Sequence, residues 1–428
     1  PGGGNGRVHR LTLPNGLRVL LQPNHANPTV ALSGAVLQGR FSEPPELPGL
    51  ALVHARMLLR GTRQRTAAQL AEDLEFKHVV LEYGADDEQT AIHGQALAED
   101  LGRLLEALAE TLQEPAFPAG ELDKVRGEAL AACRMAADDA TAQARRAFKR
   151  LAYPAGHPLR RSLIDAAPGI RRITRKDLIA YHRRSFRPEL TVLSLAGDFD
   201  PAAAARRLKR RFADWKNVGP TPPTTWAPMA EVKASRRTFH PMPAKHEAIT
   251  LLGHEGIARL DPNYYPAFLA NHILGGAGLS SLLMQTVRDE AGLTDGIHSR
   301  FRVSRLPRPW RIMFQSAPDS VDAAVDLIRA QVARMQAGRF PAARLNDAKS
   351  ELTGSLVVGL ETNQGLAYLN REIAVHGLGW DYLETFPAAV RAVTHKQVIR
   401  AANRRFHPGR WLRATAGPPV RGEAQGSD

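Results

Sequence analysis

The chain has 428 residues, enough for two or more domains of about 100–200 residues each, and its 43% apolar and 23% charged composition is that of a folded globular protein. A single cysteine, Cys133, excludes an internal disulfide framework and a multi-cysteine zinc site, and no run of about 18 uncharged apolar residues is present to cross a bilayer as a helix. The net charge of +14 comes from 57 Lys+Arg against 43 Asp+Glu, but the arginines fall in dispersed pairs such as Arg145-Arg146 and Arg404-Arg405, without a basic tail, so nucleic acid is not an expected partner.

The chain opens on Pro1 rather than Met, in the string Pro1-Gly2-Gly3-Gly4-Asn5-Gly6. Loss of a leader is the expectation, which points to a bacterial periplasm and leaves the cytosol open. Residues 11–21 predict two strands around the Asn15-Gly16 turn. Residues 29–36 predict a third strand, and 47–60 a helix opening after Pro48 and stopping before Gly61. Helices are expected over 67–76, 98–113, 121–137 and 175–184, and an apolar strand over 190–196, cut off by Gly197-Asp198. Helices packed on a mainly antiparallel sheet, an α+β sandwich, are the simplest architecture for this alternation.

The pattern then repeats. Ile173-Thr174-Arg175-Lys176 resembles Val393-Thr394-His395-Lys396, and Arg184, Phe186, Pro188 and Gly197 match Arg404, Phe406, Pro408 and Gly417, all at an offset of 220 residues. Phe117-Pro118-Ala119, Leu122 and Glu128 match Phe340-Pro341-Ala342, Leu345 and Glu351 at an offset of 223. Two blocks in the same order define two homologous α+β sandwich domains, 1–218 and 233–428. Between them the stretch 219–232, rich in proline at Pro220, Pro222, Pro223 and Pro228, reads as a stiff linker.

The stretch from Gly49 to Thr62, with its lead-in Leu37-Gln38-Gly39-Arg40-Phe41-Ser42-Glu43, resembles the zinc-motif helix of the pitrilysin, insulin-degrading enzyme and mitochondrial processing peptidase family. In that family the helix carries H-x-x-E-H. The two histidines share one helix face and grip Zn²⁺, and the glutamate activates the metal-bound water. Here those positions read Leu52, Ala55 and Arg56, so no catalytic residue is expected in this chain. His54 lies two residues from Leu52, on another face, and does not replace them. The resemblance also implies that Glu128, seven residues after Glu121, stands at the third zinc-ligand position. An ion pair between Arg56 and Glu128 is the expected substitute for the metal.

The resemblance continues in the second half. Asn271-His272-Ile273-Leu274-Gly275-Gly276-Ala277-Gly278-Leu279-Ser280-Ser281 is similar to the family's Gly-rich turn followed by Ser-Ser, and it is not a phosphate loop, because no Gly-Lys-Ser/Thr follows. Active members use an Arg and a Tyr, seven residues apart, to hold substrate and stabilise the tetrahedral intermediate. Arg288 matches the Arg, and Asp295 stands where the Tyr belongs. A carboxylate donates no hydrogen bond to an oxyanion and repels it. Gly275, Gly276, Ser280, Ser281 and Arg288 are therefore candidate peptide-binding residues, with Asp295 a degenerate position.

Family enzymes of this size pair two such chains around a chamber, one of them carrying the zinc motif. The resemblance thus implies an inactive subunit of a heteromeric zinc peptidase. It would hold no zinc itself and would partner a homologous subunit with intact H-x-x-E-H and zinc, as a heterodimer or a dimer of heterodimers. The alternative is a peptide-binding chaperone or assembly factor without a proteolytic role. No Gly-x-Ser-x-Gly elbow is present, and Cys133 sits in a helical Ala-Ala-Cys-Arg context, so no other hydrolytic chemistry is indicated.

Overall fold

The computed structural model describes residues 7–302 and 304–419. The glycine-rich string of residues 1–6 lies outside the described residues. The strands are β1 (His9–Thr12), β2 (Arg18–Pro23), β3 (Thr29–Val36), β4 (Val80–Ala85), β5 (Thr90–Leu97), β6 (Thr191–Gly197), β7 (Arg236–Pro241), β8 (Ala248–His254), β9 (Gly296–Arg300), β10 (Trp310–Ser316) and β11 (Leu412–Gly417). The α-helices of the first repeat are α1 (Leu50–Met57), α2 (Ala67–Phe76), α3 (Leu101–Gln113), α4 (Ala119–Ala137), α5 (Ala140–Ala152), α6 (Ala167–Arg172), α7 (Arg175–Ser185) and α8 (Pro201–Phe212). Those of the second are α9 (Tyr264–Asn271), α10 (Val321–Gln336), α11 (Ala342–Gly359), α12 (Asn363–His376), α13 (Tyr382–Ala392) and α14 (His395–Arg405).

The strands form two sheets, ordered β1-β2-β6-β3-β5-β4 and β7-β11-β8-β10-β9. Pairing is antiparallel except between β2 and β6 and between β7 and β11. The two orders superpose when β1 is set aside, so the duplication seen in the sequence is a duplication of topology. β1 is the strand added by the Asn15-Gly16 hairpin. Gly16, at φ 92°, closes it with its N–H on the Leu13 carbonyl at 2.8 Å. The repeated Ile/Val-Thr blocks open α7 and α14 with the same capping box. Thr174 and Asp177 exchange side-chain and backbone bonds in one, Thr394 and Gln397 in the other.

The chain forms two compact units. The first contains the chain up to Cys133, Asp165–Trp226 and Val357–Gly379; the second contains Arg134–Ile164, Ala227–Leu356 and the chain from Trp380 on. These units interleave along the sequence, whereas the contiguous boundaries 1–218 and 233–428 follow the repeat. In the second unit α5, a first-repeat helix, lies across β7, β8 and β11 with Ala144, Phe148 and Ala152 buried on one stripe. In the first unit α12, a second-repeat helix, lies on β2, β3 and β6, where Leu366 and Ala367 join Ala31 and Ala196 in one cluster. Asn363 Nδ2 donates to the Thr29 carbonyl at 3.0 Å, and Asn370 Nδ2 donates to Gln22 Oε1 at 2.6 Å. Periodicity marks α5 and α12 as amphipathic helices, but it does not say which sheet receives them.

The proline-rich stretch is anchored. Within the first unit the buried Arg187 donates to the carbonyls of Val218 at 2.6 Å and of Gly219 and Pro220 at 3.1 Å. Gln38 Nε2 donates to the Pro223 carbonyl at 3.0 Å, and the Trp226 ring packs 5.0 Å from that of Phe41. Prolines leave carbonyls without competing N–H groups, and a charged donor is well suited to them.

Candidate functional site

The site indicated by sequence lies on α1. Gly49 takes φ 94° at its N-cap, and the buried Glu43 carboxylate accepts from the Gly49 N–H at 3.1 Å and the Ala51 N–H at 2.9 Å. An acid on the first turn satisfies free N–H groups and meets the positive end of the helix dipole, worth about 1 kcal/mol. The next turn holds the three degenerate positions, with Ala55 buried and Leu52 and Arg56 half-buried. Two apolar side chains and a guanidinium supply no metal donor, and the cation repels Zn²⁺. These residues do not fit a zinc ion. Among the described residues no three His, Cys, Asp or Glu side chains come together in a metal-binding group.

Glu128 projects from α4, as expected, but its cation is Arg60 rather than Arg56. Arg60 Nη2 lies 3.0 Å from Glu128 Oε1, and Arg60 Nη1 lies 3.5 Å from Glu121 Oε2. Arg60 follows Arg56 by four residues, beyond the end of α1, so the sequence expectation erred by one turn. Glu121 is held below the usual carboxylate range, first by the hydrogen bond from Lys124 and then by the nearby Lys124 and Arg60 charges.

His54 belongs to the core. It is fully buried among Phe117, Tyr181 and Phe186, and its Nε2 lies 3.0 Å from Nδ1 of the buried His182. Burial pushes the His54 pKa well below 6.5, helped by His182, and burial holds His182 at about 3. Both rings are neutral at pH 7. The Leu112 carbonyl is the backbone partner of His182, which leaves Nδ1 of His182 to accept from His54 Nε2–H.

In the second unit the Gly-rich segment continues α9 as a π-helical turn, His272–Gly276. A Cβ on Gly275 would meet Ser299 Oγ at 2.7 Å and its N at 2.8 Å, so this glycine lets the turn lie against β9. Gly276 is exposed beside Asn271. Exposed Ser280 donates its hydroxyl to the Ala277 carbonyl at 2.9 Å, whereas Ser281 is fully buried and accepts from the Met284 N–H at 3.4 Å. Arg288 lies on a second π-helical turn, Met284–Glu290, and pairs at the surface with its neighbour Asp289 at 3.2 Å. Asp295 is exposed just before β9.

Residues 18–166 match the family model for insulinase, peptidase family M16, and residues 172–352 match the model for the peptidase M16 inactive domain. Together the two models take in most of the chain. The chain belongs to the M16 peptidase family. Among M16 relatives, it is 24% identical over 368 residues to an uncharacterized zinc protease of Streptomyces coelicolor, covering 85% of this chain and 79% of the relative. It is 24% identical to a probable mitochondrial-processing peptidase subunit beta of Arabidopsis thaliana, covering 92% and 75%. Of solved structures, the peptidase M16 inactive domain from Pseudomonas fluorescens has a TM-score of 0.89 at 25% identity, covering 98% of this chain and 99% of that one. A protease from Helicobacter pylori gives the same TM-score at 18% identity and shares the fold.

Within the M16 family this chain is a non-catalytic member, matching the inactive-domain model and an inactive-domain structure; by the resemblance, the three motif positions of α1 read Leu52, Ala55 and Arg56. Three features of the site escaped sequence reasoning: the Arg60 ion pair, the Glu43 cap and the His54–His182 pair. A fourth lies in the second unit, where His272 Nε2 sits 3.1 Å from Glu351 Oε2. The offsets of 220 and 223 residues carry Leu52 onto His272 and Glu128 onto Glu351, so the repeat itself held the signal. Two ligands alone do not make a catalytic zinc site, which needs three protein donors.

Proposed function

We propose that this M16 chain is the non-catalytic subunit of a heteromeric zinc peptidase. It forms half of a peptide-binding chamber and supports a homologous partner carrying H-x-x-E-H and the zinc. The observation that carries this reading is an M16 scaffold whose α1 has Leu52, Ala55 and Arg56 where the resemblance expects His, Glu and His, while Arg60 occupies the acid of α4. Peptide binding is supported by β4, the outer strand of the first sheet, which lies beside α1. An outer strand offers backbone groups to an extended peptide without needing any catalytic residue. Gly276, Ser280 and Arg288 are proposed as further peptide contacts; Gly275 and Ser281, expected from sequence to touch peptide, are buried and hold the turn from within.

The test is metal analysis and peptidase assay on the isolated chain, then on the chain co-expressed with a same-sized M16 homologue that retains the motif. The isolated chain is expected to hold no stoichiometric zinc and to cleave nothing, and the complex to hold one zinc and exceed the homologue alone in activity. One zinc per isolated chain with chelator-sensitive turnover overturns the proposal. Peptide binding without association to any motif-bearing chain replaces it with the chaperone or assembly-factor reading.

A further inference from the structure

In the second unit, Arg311 of β10 stands directly opposite Arg300 of β9. Both lie on the sheet face that α5 covers further along. Gly253 of β8, paired with Arg311, shows this: a Cβ there would meet Phe148 Cζ of α5 at 2.9 Å and Arg311 Cγ at 3.2 Å. Arg145 is three residues before Phe148 on α5, which brings a third guanidinium to the same place. Like charges directly opposed on a sheet destabilise it. Among the described residues no carboxylate is within ion-pair distance of Arg145, Arg300 or Arg311. Burial and the neighbouring guanidiniums lower Arg300, and burial with Arg300, Arg145, Arg308 and Arg302 around it brings Arg311 to about 10. Arg311 therefore remains charged at neutral pH. Arg302 and Arg308 have partners of their own and add to the field.

One rung along the same face, His298 pairs with Met313. There a groove of about 360 Å³ opens, with Met313, Leu279 and Met284 among its lining and Thr141 of α5 at its side. The outer edge of β9 is already engaged: the Ile297 N–H lies 3.4 Å from Met284 Sδ, and Asn271 Nδ2 donates to the Ser299 carbonyl at 3.1 Å. A ligand here is therefore recognised by side chains, not by strand addition.

We propose that this groove receives an acidic peptide segment, an apolar side chain seated against Met313 and Leu279 and the neighbouring Asp or Glu side chains on Arg145, Arg300 and Arg311. Three guanidiniums call for more than the single charge of a chain terminus, which favours acidic side chains over a C-terminal carboxylate. The methionine and leucine lining suits an apolar peptide residue better than a stacked base. Guanidiniums that oppose one another when empty are relieved when a carboxylate bridges them, so the repulsion between Arg300 and Arg311 is a binding preference. The inference rests on the peptide-binding reading above and names its substrate class.

The experiment titrates the isolated chain against three equal-length, C-terminally amidated peptides labelled with a neutral dye, identical except for Glu, Gln or Lys beside an apolar residue. The Glu peptide is expected to bind about tenfold or more tightly than the Gln peptide, with the gap closing as salt rises. Arg300→Gln and Arg311→Gln are each expected to remove most of that preference without lowering the melting temperature, because each relieves a like-charge pair. Arg210→Gln, on α8 of the first unit, leaves the preference intact. Equal binding of the three peptides overturns the acidic groove and leaves peptide binding standing. Loss of preference in Arg210→Gln, or tighter binding of a single-stranded oligonucleotide than of the Glu peptide, also overturns it. Failure of every peptide to bind overturns both this inference and the peptide-binding reading.

Discussion

Arg60 holds Glu128: its Nη2 lies 3.0 Å from one carboxylate oxygen and 3.4 Å from the other. The same guanidinium reaches Glu121, so one side chain spans two acids a near-double turn apart on α4. A guanidinium matches a carboxylate with two N–H groups, and the acid that the family resemblance places at the third zinc-ligand position is here committed to a protein cation.

Restoring the metal site therefore takes more than restoring the motif. Leu52→His/Ala55→Glu/Arg56→His rebuilds the family's helix but leaves Glu128 engaged. Adding Arg60→Leu frees it. The fourfold variant is expected to bind one zinc per chain, and the threefold variant to bind it about tenfold more weakly, as for a ligand whose immediate surroundings are wrong. Equilibrium dialysis with metal analysis compares the two. Equal affinities would show that Arg60 does not hold the acid away from the metal.

The pair contributes little to stability. Arg60 is about a third exposed and Glu128 about half, and ion pairs at such positions are worth roughly 0–1 kcal/mol. Arg60→Ala is expected to shift the denaturation midpoint by no more than that in free energy, and high salt to shrink the difference further. A loss above about 2 kcal/mol would exceed the range for such a pair and assign Arg60 a packing role against α4.

Acid should act through the buried histidines. His54 and His182 are held neutral in the folded state, His182 down to about 3, whereas in the unfolded chain each titrates near 6.5. Below that value the unfolded state takes up protons that the folded state refuses. Stability is thus fully present above pH 6.5 and falls as pH drops below it, by up to ~1.4 kcal/mol per pH unit for each histidine. For His182 the fall continues until about pH 3. Urea unfolding at pH 7 and pH 5, read from a probe in the first unit, measures the slope. His182→Gln, which keeps a side-chain amide beside His54, is expected to flatten it, and an unchanged slope in that variant would remove His182 from the account.

The duplication, the hairpin at Asn15-Gly16 and the loss of the zinc motif were legible because each rests on local chemistry: a turn residue with φ above zero, a helix cap, a donor atom present or missing. The strand predicted over 29–36 coincides with β3, and the helix over 67–76 with α2. Interleaving was not legible. Ala144, Phe148 and Ala152 state that α5 has an apolar stripe, and nothing in that stripe distinguishes the first sheet from the second. The Arg56–Glu128 expectation erred for a related reason. It placed side chains by family position along α1, while the geometry that decides the pair is where α1 stops, at Met57, and how the chain turns to bring Arg60 against α4. The Arg300–Arg311 opposition depends on strand register, which the sequence of two separated strands does not state.

The repeated strand ends give a test of packing that the sequence motif alone does not. Gly197 ends β6 at φ 141°, and a Cβ there would stand 2.2 Å from the Thr29 carbonyl oxygen and 2.7 Å from Val30 Cα. Both obstacles are backbone of the neighbouring β3, so no side chain can swing aside. Gly197→Ala is expected to lose about 3 kcal/mol or more, through strained dihedrals and a forced separation of strands. Gly417, its counterpart in β11, would place a Cβ 2.6 Å from Ala248 Cα without the positive φ, and its alanine variant is expected to lose less. Gly84 of β4 has nothing within 4 Å of the added atom. Its alanine variant is expected to be neutral or to gain up to ~1 kcal/mol, because alanine narrows the unfolded ensemble. Urea midpoints of the three variants should fall in that order, and a Gly197→Ala chain as stable as Gly84→Ala would mean that β6 and β3 separate at no cost, against the register that joins them along Val30–Gly197.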